Sequence, residues 1–260
     1  MKRVGQATKA DGPKVLERAL SVLDLFTERR PEWTAAEIGE ATELPVSTTY
    51  RIVNALESHG LLRHVGSGYR LGAAAVTLGR RASAGFDLGA VLRPVLEALA
   101  SEIGETTVLA IFDATHIGAL CIDRIEAPQQ LRLSLEIGSV LPLHAGATAK
   151  ALLASLGDEV LEAVVARPLP KLAANTITEP KRLREEVASI RAQGYAVSFE
   201  ETNTGAWGIA VPIFASDGAG LASIGVAAPI SRHSQTVERA ALRALRAARE
   251  RAAVILGYER

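Results

Sequence analysis

The chain has 260 residues, 48% of them apolar, so it can bury a substantial core and wholesale disorder is excluded. Lysine plus arginine equals aspartate plus glutamate at 29 each, which excludes a globally basic protein and requires any DNA contact to come from a local patch. The single cysteine, Cys121, excludes an intramolecular disulfide framework and disfavours a structural zinc site.

The first segment, MKRVGQATKADGPK, is polar, and no later stretch reaches the roughly 18 uninterrupted apolar residues of a membrane span. We therefore expect a soluble, cytoplasmic protein with no membrane partner. Residues 1–12 are predicted to form a disordered tail.

The next 60 residues predict three helices and a hairpin. Apolar spacing predicts a first helix over 13–27, and Thr34 with Glu37 forms a capping box before a short helix over 36–42. Ser47 is predicted to cap a third helix that stops at Gly60. The runs LLRHV and YRLG, separated by Gly66-Ser67-Gly68, predict the hairpin.

This order is the plan of a winged helix-turn-helix, which we assign to residues 13–72. Polar side chains crowd the start of its third helix, where they can reach base edges and phosphates in a major groove. Arg51 is the leading candidate, and Tyr69 is expected to pack beneath the hairpin. The alternative is a helical subdomain that binds protein. The predicted DNA contacts are Ser47, Thr48, Thr49, Tyr50, Arg51, Arg63, His64 and Arg70.

Residues 73–87 are rich in alanine and are predicted to form a linker helix, and residues 88–260 a second domain. There, an amphipathic helix over 88–103 precedes strand-like runs TTVLAIF, GALCIDRI and LRLSLEI. Helices are predicted from Ala147, from Asp158 and from about 178–180. The strands YAVSF, WGIAVPIF and LASIGVAA follow, then a helix over 234–256 with Val237, Leu242, Leu245 and Ile255 inward. Without repeated βαβ units, this order predicts an α+β fold with a largely antiparallel sheet flanked by helices.

Four segments resemble the IclR family of bacterial regulators, and they occur in the family's order. They are TAAEIGEATELPVSTTYRIVNALESHGLL with GYRLG, then LPLHAGATAKALLA, GYAVSFEET, and GIAVPIF with LASIGVAAPISR. The resemblance implies a transcriptional regulator, by default a repressor, that binds a palindromic double-stranded DNA operator. It also implies a GAF-like effector-binding domain and a homodimer or homotetramer.

The resemblance further implies a cup on the sheet where the effector's carboxylate lies near the start of the helix at Ala147 and Thr148. A helix N-terminus supplies unpaired N–H groups for an anion. Relatives that bind small oxoacids are more polar at the positions of Ser198, Gly208, Gly225 and Ala227, so we predict a roomier, more apolar cup that suits an aromatic or branched carboxylic acid. Apolar walls are expected from Leu133, Leu143, Trp207 and Ile209.

The alternative class is an enzyme of small-molecule metabolism with a fused regulatory winged helix. The chain lacks a G-x-S-x-G elbow, a complete phosphate loop and a G-x-G-x-x-G motif after a strand, so we predict no catalytic residues and no cofactor. Scattered histidines predict no metal site. Cys121 is interpreted as a buried, inert thiol, His144 as structural, and Glu200 and Glu201 as a solvated turn. A third possibility is an adaptor that senses nothing.

Overall fold

In the computed structural model, which describes residues 14–27, 30–83, 88–129 and 135–257, the chain divides into two units at 87/88. Each unit has an apolar core of its own. The predicted tail over 1–12 lies outside the described residues. No helix in the described ranges is long and apolar enough to cross a membrane.

The first unit is a small helical domain with a two-stranded antiparallel hairpin. The predicted capping box is present, because the Glu37 N–H donates to Thr34 Oγ1 at 3.3 Å and the Thr34 N–H donates to Glu37 Oε2 at 2.9 Å. Its described elements are α1 (Lys14–Leu23), α2 (Ala35–Ala41), α3 (Val46–Ser58), β1 (Leu62–Val65), β2 (Gly68–Leu71) and α4 (Ala73–Ser83).

Two helix boundaries in this unit differ from the predictions. The first helix ends at Leu23 and not at Thr27, because a turn follows its last apolar residue. Ser47 does not cap the third helix: Pro45 is the N-cap residue, with φ −57° and ψ 142°, and no side chain caps this end. Proline fixes φ and has no N–H, so it suits a helix boundary. The hairpin turn is Gly66–Ser67, since Gly68 already pairs with Val65.

The second unit contains a six-stranded sheet between helices. Its order is β5-β4-β3-β8-β7-β6, and every neighbouring pair is antiparallel, which confirms the predicted fold class. Its described strands are β3 (Thr106–Asp113), β4 (Gly118–Ile125), β5 (Val140–Pro142), β6 (Ala196–Phe199), β7 (Ala206–Phe214) and β8 (Gly220–Pro229). Its described helices are α5 (Leu88–Ile103), α6 (Ala147–Ser155), α7 (Asp158–Val165), α8 (Pro180–Gln193) and α9 (Gln235–Ile255).

Both faces of this sheet are buried, and alternate residues of a strand serve different cores. In β7, Ile209, Val211 and Ile213 pack in the core on the side of α5 and α9. Ala210 belongs to the core on the side of α6 and α8. The pleat therefore decides which β7 side chains can face α6.

Two predictions for this unit are wrong in part. Of the expected strand LRLSLEI, residues 131–134 lie outside the described ranges, and 135–137 are not a strand, since Glu136 and Ser139 close a turn with Gly138 at φ +86°. In α9 the buried side is largely alanine, and Ile255 is 48% exposed. Leu245 is buried and Val237 and Leu242 pack against the same core, so of the four residues predicted to point inward only Ile255 is misplaced.

Candidate DNA-reading surface and ligand cup

Helix α3 is held by one face and presents the other to solvent. Ile52, Val53 and Leu56 are buried in the first unit's core. Ser47, Tyr50 and Arg51 are exposed, and Thr48 is half-buried. Within the described part of the chain, Arg51 forms no ion pair, so its guanidinium is available to an external acceptor.

Thr49 does not belong to this exposed face. It is 1% exposed, and its hydroxyl lies 3.2 Å from the carbonyl oxygen of Pro45, to which it donates. A Cβ on Gly39 of α2 would lie 3.1 Å from the same hydroxyl oxygen. Thr49 thus packs α3 against α2, and we withdraw it as a DNA contact.

The hairpin brings two arginines directly opposite each other, because Arg63 pairs with Arg70. Like charges at such a pair are destabilising, and Glu32 relieves the repulsion with an oxygen 3.0 Å from an Arg70 guanidinium nitrogen. Arg63 and His64 are exposed. Arg70 is therefore partly neutralised, and Arg63 carries the more available charge.

Below the hairpin, Tyr69 is buried, as predicted. Its ring meets the His64 ring edge-on at 4.9 Å between centroids, and its backbone pairs with Trp33. Burial raises the pKa of the Tyr69 hydroxyl. Tyr69 thus supports the exposed His64 and does not itself reach the surface.

The predictions from sequence omitted some exposed residues of α3, among them Asn54 and Val46. Asn54 is exposed one turn after Arg51, and Val46 is 73% exposed at the first turn. The helical period that marked Ile52 and Leu56 as inward could have identified Asn54 as outward. Val46 was missed because an apolar residue in the segment LPV was assigned to the turn.

The second unit contains a cavity of about 100 Å³ between α6 and the sheet, room for several water molecules by the usual threshold of about 10–15 Å³ for one. Its floor is a row of small side chains on four neighbouring strands, in the order Ser198, Gly208, Ala227 and Thr106. These residues leave space above the sheet that larger ones would fill.

The first turn of α6 forms one wall of this cup. Gly146 precedes the helix with φ +87°, a conformation that favours glycine, and Ala147, Thr148 and Ala149 line the cavity. The first N–H groups of a helix have no intrahelical partner and lie at the positive end of its dipole. The wall therefore offers hydrogen-bond donors to an anionic or polar ligand.

A buried ion pair stands beside this wall, and it overturns the interpretation of Glu201 as part of a solvated turn. Glu201 is 8% exposed; its Oε2 accepts the Gly146 N–H at 2.9 Å and its Oε1 lies 2.7 Å from Lys150 Nζ. Lys150, 1% exposed, also donates to Glu186 at 2.5 Å and to the Val197 carbonyl oxygen at 3.0 Å.

Burial raises the pKa of Glu201, although Lys150 and the Gly146 N–H oppose this rise. Glu201 also lines the cup with its neighbours Thr202 and Asn203. The pair thus ties the loop after β6 to the start of α6. No local pattern marked it, because Lys150 and Glu201 are 51 residues apart.

The predicted cup residues have three outcomes: some line the cavity, one lies outside the described residues, and others are buried elsewhere. The described cavity lining includes Ala147, Thr148, Ser198, Trp207, Gly208 and Ala227. Leu133 lies outside the described residues. Leu143 is buried in the core beneath α6, and Ile209 packs on the opposite face of the sheet because adjacent strand residues point to opposite sides.

Gly225 serves helix packing and not ligand space. A Cβ at this position would lie 2.2 Å from Thr148 Oγ1 and 3.1 Å from the Ala210 Cβ. The absence of a side chain therefore lets α6 approach the sheet closely.

Trp207 is a core residue that also borders the cup. The residue is 2% exposed, and its ring packs edge-on against His233 at 4.8 Å between centroids, with Phe199 stacked at 6.4 Å. Within the described residues, the indole Nε1 is buried without a hydrogen-bond partner.

Other side chains that could react or bind a metal, a cysteine and a histidine, are buried in the fold. Cys121 is buried in β4. His144 is 2% exposed and its Nε2 lies 3.0 Å from the Pro170 carbonyl oxygen. In the described ranges, no three His, Cys, Asp or Glu side chains cluster to hold a metal ion.

Comparison with protein families gives two matches that together span most of the chain. Residues 15–66 match the IclR helix-turn-helix domain, and residues 81–253 match the bacterial transcriptional regulator IclR C-terminal domain.

Individual relatives agree over most of their lengths. The transcriptional repressor IclR of Escherichia coli K12 is 32% identical over 220 residues, 84% of this chain and 80% of that protein. The HTH-type transcriptional regulator TtgV of Pseudomonas putida is 34% identical over 229 residues, 87% and 86% of the two chains. A solved IclR homologue from Microbacterium hydrocarbonoxydans, complexed with 4-hydroxybenzoate, is 30% identical with a TM-score of 0.82, covering 94% of this chain and 100% of that one.

Proposed function

Because the chain belongs to the IclR family of bacterial transcriptional regulators, we propose that it is a cytoplasmic repressor. It binds a palindromic DNA operator through α3 and the β1–β2 hairpin. It senses a small carboxylic acid, preferably an aromatic one, in the cup beside α6.

The observation that carries the DNA-binding proposal is the exposed polar face of α3 on an electrically neutral chain. Ser47 and Arg51 lie near the N-terminal end of α3, the helix that a helix-turn-helix places in the major groove. Arg51 can donate two hydrogen bonds to a guanine edge, and Arg63 can contact phosphate. Local placement of these cations supplies an attraction that the net charge does not.

The test first selects DNA duplexes that the protein binds from a random pool in vitro. Binding of a selected duplex is then measured by the retardation of its electrophoretic mobility. Arg51→Ala should weaken binding of the selected duplex about 10- to 100-fold. Arg239→Ala, which removes an exposed arginine from α9 in the other unit, is the matched control and should leave binding unchanged. Failure of the unaltered protein to select any duplex would reject DNA binding.

The ligand proposal is supported by the small side chains that form the floor of the cup and by the N–H groups at the start of α6. The relative that contains 4-hydroxybenzoate has the same fold over nearly this whole chain. An aromatic ring on the floor and a carboxylate near Thr148 would use both features.

Calorimetric titration should show that the protein binds benzoate-type acids with higher affinity than glyoxylate or pyruvate. Ala227→Leu should fill the floor and abolish this binding while DNA retardation persists; Ala219→Leu, at an exposed turn, should change neither. Tight binding of the small oxoacids alone would reject the aromatic preference.

We propose that effector binding releases the operator.

We also propose that the protein acts as a homodimer or homotetramer, because reading a palindrome requires two-fold symmetry. Helix α1 exposes Val15, Leu16 and Leu20, each more than half exposed, as an apolar surface for a second copy. Light scattering coupled to size-exclusion chromatography should give a mass of two or four chains, and a monomer at micromolar concentration would contradict this.

A further inference from the structure

Val46 is the most exposed large apolar side chain of the described residues, at 73%. It lies at the first position of α3, directly after the N-cap residue Pro45. It is not a member of the first unit's apolar core and does not pack against that core as Leu44 does.

The fold gives no reason for valine at this position. Its β-branched side chain is a poor helix former, and the positive end of the helix dipole favours acidic or polar residues. Burial does not compensate for these costs. A function outside the folded chain explains the residue better than helix stability.

The surroundings of Val46 indicate what it contacts. Tyr50, one turn further and 49% exposed, lies beside it, and Arg51 is on the adjoining outward face. On the other side, Glu40 and Glu43 line the same groove between α2 and α3. These carboxylates disfavour a phosphate at this point, so an uncharged group fits best.

In a DNA major groove the only apolar group at a base edge is the 5-methyl group of thymine. We propose that Val46 determines sequence specificity by packing against a thymine methyl group in each operator half-site. The β-branched side chain has few rotamers, so little conformational freedom is lost when the contact forms. This inference rests on the proposed binding of DNA by α3.

The test replaces thymine by uracil, one position at a time, in a duplex selected by the unaltered protein, since this removes the methyl group and keeps the hydrogen-bonding pattern. At one position per half-site, uracil should weaken binding about three- to fivefold, as expected for one buried methyl group.

The Val46→Ala protein should bind the thymine and uracil duplexes equally, and circular dichroism should show that it remains folded, since alanine favours helix. Ser47→Ala is the matched control: it should keep the sensitivity to uracil even where overall affinity falls. If no uracil substitution weakens binding of the selected duplex, the role of Val46 is rejected while DNA binding stands. The same conclusion follows if Val46→Ala remains sensitive to uracil. Absence of any selected duplex would overturn DNA binding and this role together.

Discussion

The spacing between α6 and the sheet is set at the scale of single residues by Gly225. An added Cβ would lie 2.2 Å from Thr148 Oγ1, too close for any real contact. Relief requires the Thr148 side chain to rotate or α6 to shift away from the sheet, and the Ala210 Cβ at 3.1 Å leaves little room on the other side. The hydrogen atom of Gly225, where other residues have a Cβ, therefore sets how closely the α6 wall of the cup can approach the sheet.

Gly225→Ala should destabilise the second unit by about 1–3 kcal/mol through overpacking. Thermal unfolding checks the loss, and the double substitution Gly225→Ala with Thr148→Ala should recover most of it by removing the clashing hydroxyl. Gly157→Ala, where a Cβ meets nothing within 4 Å, is the control. Equal stability of the single variant and the parent chain would contradict the proposed close packing.

The Lys150–Glu201 pair predicts a pH-dependent stability. Lys150→Met leaves a buried carboxylate without its cation, which should cost about 3–5 kcal/mol at neutral pH. Lys181→Met, which alters an exposed lysine, should have little effect.

The sign of the pH effect follows from the raised pKa of Glu201. Between its ordinary pKa and its raised value, the folded chain holds a proton that the unfolded chain has released, so stability falls as pH rises. Removal of Lys150 raises this pKa further. Urea titrations at several pH values should show Lys150→Met partly recovering as the pH falls through the raised pKa of Glu201 towards its ordinary value; an equal loss at every pH would refute this account.

At the scale of elements, α2 shows a helix whose start is determined locally. Its seven residues are too few to form a stable helix alone, so its cap and its packing on α3 must sustain it. The capping box satisfies backbone donors at both Thr34 and Glu37. Hydrogen bonds from Thr34 lower the pKa of Glu37, so this carboxylate supports the fold above its ordinary pKa and loses that effect as pH falls through the lowered value.

Thr34→Ala should destabilise the first unit by about 1 kcal/mol. Trp33 adjoins the cap, and its fluorescence in a Trp207→Phe background is a local measure of unfolding. Thr77→Ala, at an exposed site in α4, is the control. An unchanged midpoint in Thr34→Ala would show that packing alone positions α2.

At the scale of the whole molecule, the apolar cores of the two units are separate. Trp33 packs against the core of the first unit, and Trp207 lies in the core on the α5 and α9 side of the second unit. The smaller unit buries less apolar area and should be less stable.

Unfolding by urea should therefore give an earlier transition for Trp33 than for Trp207, measured in Trp207→Phe and Trp33→Phe proteins respectively. Separate cores permit separate transitions. Coincident transitions at all protein concentrations would show that the two units unfold as one cooperative body.

By itself the sequence determined the features that depend on neighbours along the chain. The 3.6-residue period of Leu183, Val187 and Ile190 located α8, and the apolar run GALCIDRI located β4 with both ends correct. The capping box followed from a pattern of four residues, and the antiparallel fold class followed from the order of helices and strands along the chain.

Only the tertiary structure decided which side chains share a site, because those contacts join distant segments. It turned Ile209 away from the cup and placed Glu201 on the Gly146 N–H across 55 positions of sequence. Pleat, register and helix packing set these outcomes. They are fixed by the simultaneous burial of both sheet faces, a property that no short segment contains.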